Sequence, residues 1–170
     1  MDIVSHGLWG SLAFGRKNRR NFWTAFFFGI APDLFSFGFY IAGTWVGVFD
    51  HPDWSSGNHP APSTIPFFVH AFYNVTHSLL AFGGVFGLVW LFRRKPFWPM
   101  ATWGLHIIVD IPTHASWFFP TPFLWPISDV TVNGVPWSHP IIFFPNVILL
   151  LAFYVWFFAA RRKRSRNISG

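Results

Sequence analysis

The chain reads as an all-α, polytopic membrane helical bundle: four transmembrane helices plus a short N-terminal membrane-embedded helix. Three observations carry that expectation. Of 170 residues, 52% are hydrophobic and 22% aromatic while only 11% are charged, far below the roughly 25% charged residues of an average soluble domain. Mean hydropathy is +0.39. All 12 Lys and Arg fall into knots: Arg16, Lys17, Arg19 and Arg20; Arg93, Arg94 and Lys95; Arg161, Arg162, Lys163, Arg164 and Arg166. Each knot caps an apolar run, which marks a cytosolic loop.

The elements follow in order. Ile3 to Gly15 is apolar but too short to cross a bilayer, since about 20 helical residues are needed for about 30 Å of hydrocarbon. It carries His6, Gly7 and Gly10 and ends at the first basic knot, so it is expected to dip into the membrane or bury itself against other helices. The first knot follows this apolar stretch, the reverse of a signal peptide's order, and no cleaved leader is expected. Long apolar spans are expected at about 22–48, 67–92, 97–118 and 141–160. A basic tail, 161–170, closes a single integral membrane domain.

Topology follows from the knots. The chain leaves the cytosolic side after 16–20, loops through 50–66, returns to 93–95, loops out again through 120–140 and returns to the tail. This predicts a multi-pass inner-membrane (plasma-membrane) protein with its C-terminus in the cytosol. Both outer loops lack Lys and Arg and are rich in Pro, Trp, Ser and Thr, as structured interfacial loops are. The net charge of +6 therefore reports topology, and no nucleic-acid partner is expected. Membrane lipids are the expected partners, with anionic headgroups of the inner leaflet opposite the tail. The absence of Cys removes disulfides, thiolate ligands and thiol nucleophiles.

Against this apolar background, His6, Asp33, His77, His106 and Asp110 stand out, because ionisable residues inside a span are functional candidates by default. Counted from the nearest knot at about 1.5 Å per residue, they lie roughly 15 to 24 Å from the inner interface. They thus share one layer, facing a pocket open toward the outer side. His106 and Asp110 are four apart and share a helical face; His70, Asn74 and His77 fall at i, i+4 and i+7 on another. Pro112 is expected to end or kink its helix near Asp110, leaving His114 in the turn beside the pocket.

Imidazole nitrogens and carboxylates without thiolates suit Zn, with Mn and Fe as alternatives. One or two such ions can be held by ligands from several helices. Read singly, each residue has a structural explanation: an i, i+4 hydrogen bond for His106 and Asp110, a helix cap for Asp33, interhelical bonding for Thr76-His77-Ser78. His51, His59 and His139 lie in the outer loops beside Pro and Trp, where an interfacial role is expected, and no site role is assigned to them or to His70.

The order of short motifs, Ser5-His6-x-x-x-Gly10, Gly29-Ile30-Ala31-Pro32-Asp33, Thr76-His77-Ser78, and His106-x-x-x-Asp110 with Thr113-His114 and Trp125-Pro126, resembles a bacterial and archaeal family described as inner-membrane, metal-dependent hydrolases. The likeness covers roughly residues 1 to 130. It implies metal ligands at His6, Asp33, His77, His106 and Asp110. It also suggests a distant similarity to zinc-dependent phospholipase C, whose order of ligands His106, Asp110 and His114 match. This chain departs from the family pattern at His70-Ala-Phe-Tyr-Asn-Val-Thr76, where a His-Arg-Gly type turn is usual, and at Leu34-Phe35, where a second acidic residue is usual.

The resulting expectation is a hydrolase of a lipid or lipid-linked ester or phosphodiester, using a metal-activated water, with Asp33, Asp110 and His114 as candidate catalytic residues. A metal-ion or proton-coupled transporter using the same residues is the alternative. No inverted repeat of the kind many transporters carry is visible. Oligomeric state is not legible.

Overall fold

A computed structural model describes residues 1–51 and 61–168, with 161–168 described by their backbone alone; His59 and the side chains of the basic tail lie outside the described residues. The protein is helical over 69% of the chain, with no strand among the described residues. The helices are α1 (Ile3–Phe14), α2 (Arg19–Trp45), α3 (Phe67–Thr76), α4 (Leu79–Arg93), α5 (Ala101–Thr113) and α6 (Pro140–Ile168), with 3-10 turns at Pro62–Thr64 and Trp98–Met100.

Local chemistry sets their starts and stops. The Asp2 carboxylate accepts from Ser5 N at 2.9 Å, capping α1, and Asn18 does the same for α2 through Asn21 N at 2.8 Å. Ser78 caps α4, its hydroxyl accepting from Leu80 N and Ala81 N at 3.1 Å. At the far end of α5 the orphan carbonyls of Pro112, Thr113 and His114 accept from Val135 N (3.0 Å), Trp137 N (2.9 Å) and Gly134 N (2.8 Å). The loop after α5 is thereby folded back over that helix end. It includes a cis Trp125–Pro126 bond.

Two helices are long and apolar enough to cross a membrane: α2, with 27 residues, and the Pro140–Ala160 stretch of α6, with 21. A third crossing exists if α3 and α4 count as one broken span, for they meet at a 58° bend. The expected continuous span at 67–92 is thus interrupted at His77 and Ser78. The stretch 97–118 departs further from expectation. Its first residues form the Trp98–Met100 turn, and α5 holds 13 residues, about 20 Å at 1.5 Å per residue. Pro112 lies inside α5 and His114 is extended (φ −119°, ψ 136°), so the helix stops soon after a residue that supplies no N–H.

α1 lies against α2, α5 and α6, and small residues allow the approach. A Cβ at Gly29 would lie 2.6 Å from the His6 carbonyl oxygen and 2.8 Å from Gly7 Cα, so α1 and α2 touch backbone to backbone there. Gly10 faces Thr102 on α5 in the same way. One buried aromatic and aliphatic cluster joins Tyr40, Ile65, Val69, Tyr73 and Phe119; another, Leu12, Leu150 and Phe157, seats α6 on α1. Ile148, Leu151 and Val155 of α6 remain exposed, as lipid-facing side chains of a span are.

Candidate metal centre

Each helix break in the sequence delivers one polar group to the same point. Pro32 interrupts α2: it supplies no N–H to the preceding turn and its ring crowds the carbonyls there. The neighbouring Gly29 carbonyl oxygen accepts instead from His106 Nδ1 at 2.7 Å. Asp33 follows that Pro directly. His77 is the residue that closes α3, and its Nδ1 lies 3.2 Å from the Tyr73 carbonyl oxygen and 3.1 Å from Thr76 Oγ1. His106 and Asp110 project from one face of α5, with no exposure of either side chain.

The result is a cluster in which Asp33, His77, His106 and Asp110 each offer a ligand atom within 4.8 Å of all the others. Its measured edges are 3.1 Å between the two Nε2 atoms of His77 and His106, 3.1 Å from His106 Nε2 to Asp110 Oδ2, 3.4 Å from His77 Nε2 to Asp33 Oδ1, 3.6 Å from His77 Nε2 to Asp110 Oδ2 and 3.8 Å from His106 Nε2 to Asp33 Oδ1. A tetrahedral ion with bonds of about 2.0 to 2.2 Å has ligand-to-ligand edges of about 3.3 to 3.6 Å. The donor set already stands at nearly that spacing.

Protonation makes the case stronger. Carbonyl oxygens only accept, so the Gly29 and Tyr73 carbonyls fix the proton of each neutral ring on Nδ1. Both Nε2 atoms then point a lone pair into the cluster, at each other and at two carboxylates. With both rings neutral, a cation, whether a metal ion or a shared proton, would hold these acceptors together. Consistent with this, Asp110 Oδ2 and His6 Nε2 are buried with no hydrogen-bond partner. Backbone donors behind the imidazoles are what metal-binding His residues usually have as outer support.

His6 lies beside this group rather than in it. Its ring stacks on His106, centroids 3.7 Å apart, and its Nε2 is 2.9 Å from Asp110 Oδ1, the oxygen turned away from His77 and His106. His114 Nδ1 lies 3.2 Å from the Asp110 carbonyl oxygen and 3.4 Å from Oδ1, which makes it a donor to Asp110. The Met1 amine also contacts Asp110 Oδ1 and lies 3.2 Å from Thr113 Oγ1. Asp110 thus faces the four-residue cluster with one oxygen and His6 with the other.

Of the residues singled out in the sequence, Asp33, His77, His106 and Asp110 converge, with His6 and His114 adjoining. His70 does not join them. It reaches the Pro62 carbonyl oxygen through Nε2 (3.0 Å) and stacks on Phe119. It lies two turns before His77 on α3, about 10 Å along the helix at 1.5 Å per residue. His139 accepts from Ile141 N at 3.3 Å at the start of α6, and His51 is exposed. The supporting roles of the Gly29 carbonyl, Thr76 and Ser36 were not foreseen. Ser36 Oγ lies 2.9 Å from Thr76 Oγ1 and donates to the Pro32 carbonyl at 2.7 Å. Pro32 was the available signal, since a mid-helix Pro exposes carbonyls that another group must satisfy.

The cluster can hold a metal ion, and a divalent ion would offset the two carboxylates. Asp33 is the ligand with access to the outside: its side chain is 20% exposed, against none for His77, His106 and Asp110. No protein-family model, no curated protein and no solved structure matches the chain.

Proposed function

We propose that the protein is a membrane-embedded, metal-dependent hydrolase that cleaves an ester or phosphodiester bond in a lipid or lipid-linked substrate, as the resemblance of its motifs implies. The single observation that carries the metal is the set of inward Nε2 lone pairs and carboxylate oxygens at tetrahedral spacing. Asp33, His77, His106 and Asp110 hold the ion, with zinc the best match to the donor set and manganese or iron as alternatives. When bound, it polarises the scissile oxygen and acidifies a water.

The chain's own residues do the rest. The Gly29 and Tyr73 carbonyls keep both imidazoles in the ligating tautomer. Asp110 turns Oδ1 toward His6 and the Met1 amine, and His114 Nδ1 donates to the Asp110 carbonyl oxygen, which steadies the end of α5. Four protein ligands would close a tetrahedral site, so Asp33, the partly exposed carboxylate, would be the one to give up its place to a water and take that water's proton. Burial of the site in a bundle whose outer faces are apolar lets a lipid enter sideways from the bilayer. In this reading α1, the bent α3–α4 pair and α5 complete the membrane unit around the two long spans, with the 120–140 loop outside and the tail in the cytosol.

Elemental analysis of protein purified in detergent, wild type beside His77→Ala, is the deciding experiment. Stoichiometric zinc, manganese or iron in the wild type and its loss in the variant are expected. A proton held between two imidazoles would satisfy the same acceptors, and metal-free wild type would overturn the reading in its favour. Chelation should abolish hydrolysis of a panel of phospholipids and lipid-linked phosphates, and re-addition of the metal should restore it. Metal uptake into protein-containing liposomes with no hydrolysis would replace the hydrolase with a transporter. An alkaline phosphatase fused after Gly170 should be inactive; activity there would invert the topology.

A further inference from the structure

His77 sits at the bend between α3 and α4, and the polar groups on either side of it are bonded to α5 or to the loop that leaves α5. The Thr76 carbonyl accepts from Trp103 Nε1 of α5 at 2.6 Å. The Tyr73 hydroxyl donates to the Phe119 carbonyl at 2.7 Å, the Ser78 hydroxyl to the Trp125 carbonyl, and Leu79 N to the Phe123 carbonyl at 3.0 Å. Three carbonyls of one short segment thus meet three donors that bracket His77.

Both sides have a local cause. A helix start leaves four N–H groups without intrahelical partners. In α4 the Ser78 hydroxyl takes those of Leu80 and Ala81, and Ser78 N reaches the Val75 carbonyl at 3.4 Å. The Leu79 N–H is the one left for an outside acceptor. On the loop side, Pro120, Pro122 and Pro126 supply no N–H and fix their own φ. The Pro122 and Leu124 carbonyls close turns with Trp125 N and Ile127 N, both at 3.0 Å, which leaves the carbonyls of Phe119, Phe123 and Trp125 to the bend.

We propose that residues 119–125 are a positioning strap for His77, with Tyr73 and Ser78 the positioning residues it holds. The strap leaves from α5, and residues 134–137 of the same loop close the end of that helix, so His77 is fixed relative to His106 and Asp110. Its consequence for affinity rests on the metal reading, since a ligand held in place beforehand binds its ion more tightly; the strap itself is a property of the fold. It also gives a role to Trp125-Pro126, a motif that the ligand cluster leaves unused.

The test deletes the strap's side-chain bonds one at a time in the full chain, purified in detergent, and reads the site with cobalt(II), whose visible absorption responds to coordination geometry. Tyr73→Phe keeps the ring that stacks on His77 and removes only the hydroxyl; Ser78→Ala removes the second donor. Tyr154→Phe is the matched control, deleting a bond from a Tyr hydroxyl to the Leu8 carbonyl at 3.1 Å, away from the bend. Cobalt affinity should fall about tenfold in Tyr73→Phe and Ser78→Ala, with an altered spectrum at saturation, and stay within about twofold of wild type in Tyr154→Phe. Lower stability alone leaves the saturated spectrum unchanged. Amide exchange in chelator reads the strap without any ion: exchange at Leu79 should quicken by at least about tenfold in the two strap variants and not in the control. Strap variants that match Tyr154→Phe in both readouts overturn the proposal. Protection at Leu79 that both variants lose, in a wild type that binds no cobalt, keeps the strap and removes the metal centre. Tight cobalt binding with affinity and spectrum unchanged in both variants removes the strap and leaves the centre.

Discussion

α5 and α6 divide the molecule's tasks between them. α6 is long and strongly apolar, its spanning stretch showing a mean hydropathy of 2.3 and being 17% buried. α5 is less than half as long, and nearly everything polar on it is buried: Thr102, His106, Asp110 and Thr113. Among its described side chains α6 offers one buried polar group, Asn146, which accepts from Trp9 Nε1 and donates to Ser5 Oγ, both at 2.8 Å. α6 turns apolar side chains outward and is fastened to α1 by Asn146 and by Tyr154, whose hydroxyl donates to the Leu8 carbonyl at 3.1 Å. α5 is enclosed by protein and carries the ligands. Length and hydropathy therefore pick out the helices that can cross a membrane, whereas buried polarity picks out the group that can hold a metal.

That contrast can be broken by substitution, and the largest effects should fall on α5. Removing a ligand by His106→Ala should lower metal affinity by at least about a hundredfold, more than loss of an outer-shell partner costs, and abolish metal-dependent turnover. Asp110→Asn should do the same to metal content with a telling difference in stability. Without metal, Asp110 Oδ2 faces imidazole acceptors while Oδ1 keeps the Met1 amine, from which an amide oxygen can also accept, so the Asn variant should lose less stability in chelator than it loses with metal present. With metal present, the wild type should be the more stable. A variant that melts equally far below wild type in both conditions would make Asp110 a structural residue.

Smaller effects should come from residues behind the ligands. Gly29→Ala pushes a methyl group against the His6 carbonyl and should cost about 1 to 3 kcal/mol as overpacking, with metal affinity falling as α1 moves away. Thr76→Val removes an oxygen 3.1 Å from His77 Nδ1. It should weaken metal binding by about tenfold, read by competition with a chromophoric chelator, with little change in melting temperature. On α6, Asn146→Leu should cost about 1 kcal/mol, as interhelical hydrogen bonds in membranes generally do, and leave metal stoichiometry unchanged. Loss of metal in that variant would mean that α6 positions the site after all.

The same division explains how much of the protein was legible in its sequence. The stretches 22–48 and 141–160 announce themselves by unbroken apolarity, and α2 and α6 occupy them. The convergence of Asp33, His77, His106 and Asp110 was legible because a bilayer makes any buried His or Asp conspicuous, and counting residues from the basic knots assigned them to one layer. What composition cannot carry is the direction of the backbone. Ser78 fits a helix interior by hydropathy, yet its hydroxyl caps α4 where the chain turns through 58°, which splits the expected 67–92 span into two helices just after His77. α5 was expected to be a full span because Trp98 to Met100 are apolar too; that Pro99 places them in a 3-10 turn is a local steric matter hidden beneath their hydropathy. Closure of the α5 terminus by residues 134–137 depends on contacts across some twenty residues of loop, for which spacing gives no cue.

The fastening of α6 through Asn146 bears on how the protein is made. Every candidate ligand, from His6 to Asp110, precedes the loop that leads to α6, and chains are built from the N-terminus at about 5 to 20 residues per second. The ligand cluster can therefore close around its ion while the last helix is still being synthesised. α6 then docks onto a unit already assembled, by way of Ser5, Trp9 and the apolar contact of Leu12 with Leu150 and Phe157. If the cluster holds an ion as proposed, loading need not await α6, whose docking would come as a late seal on a centre already formed.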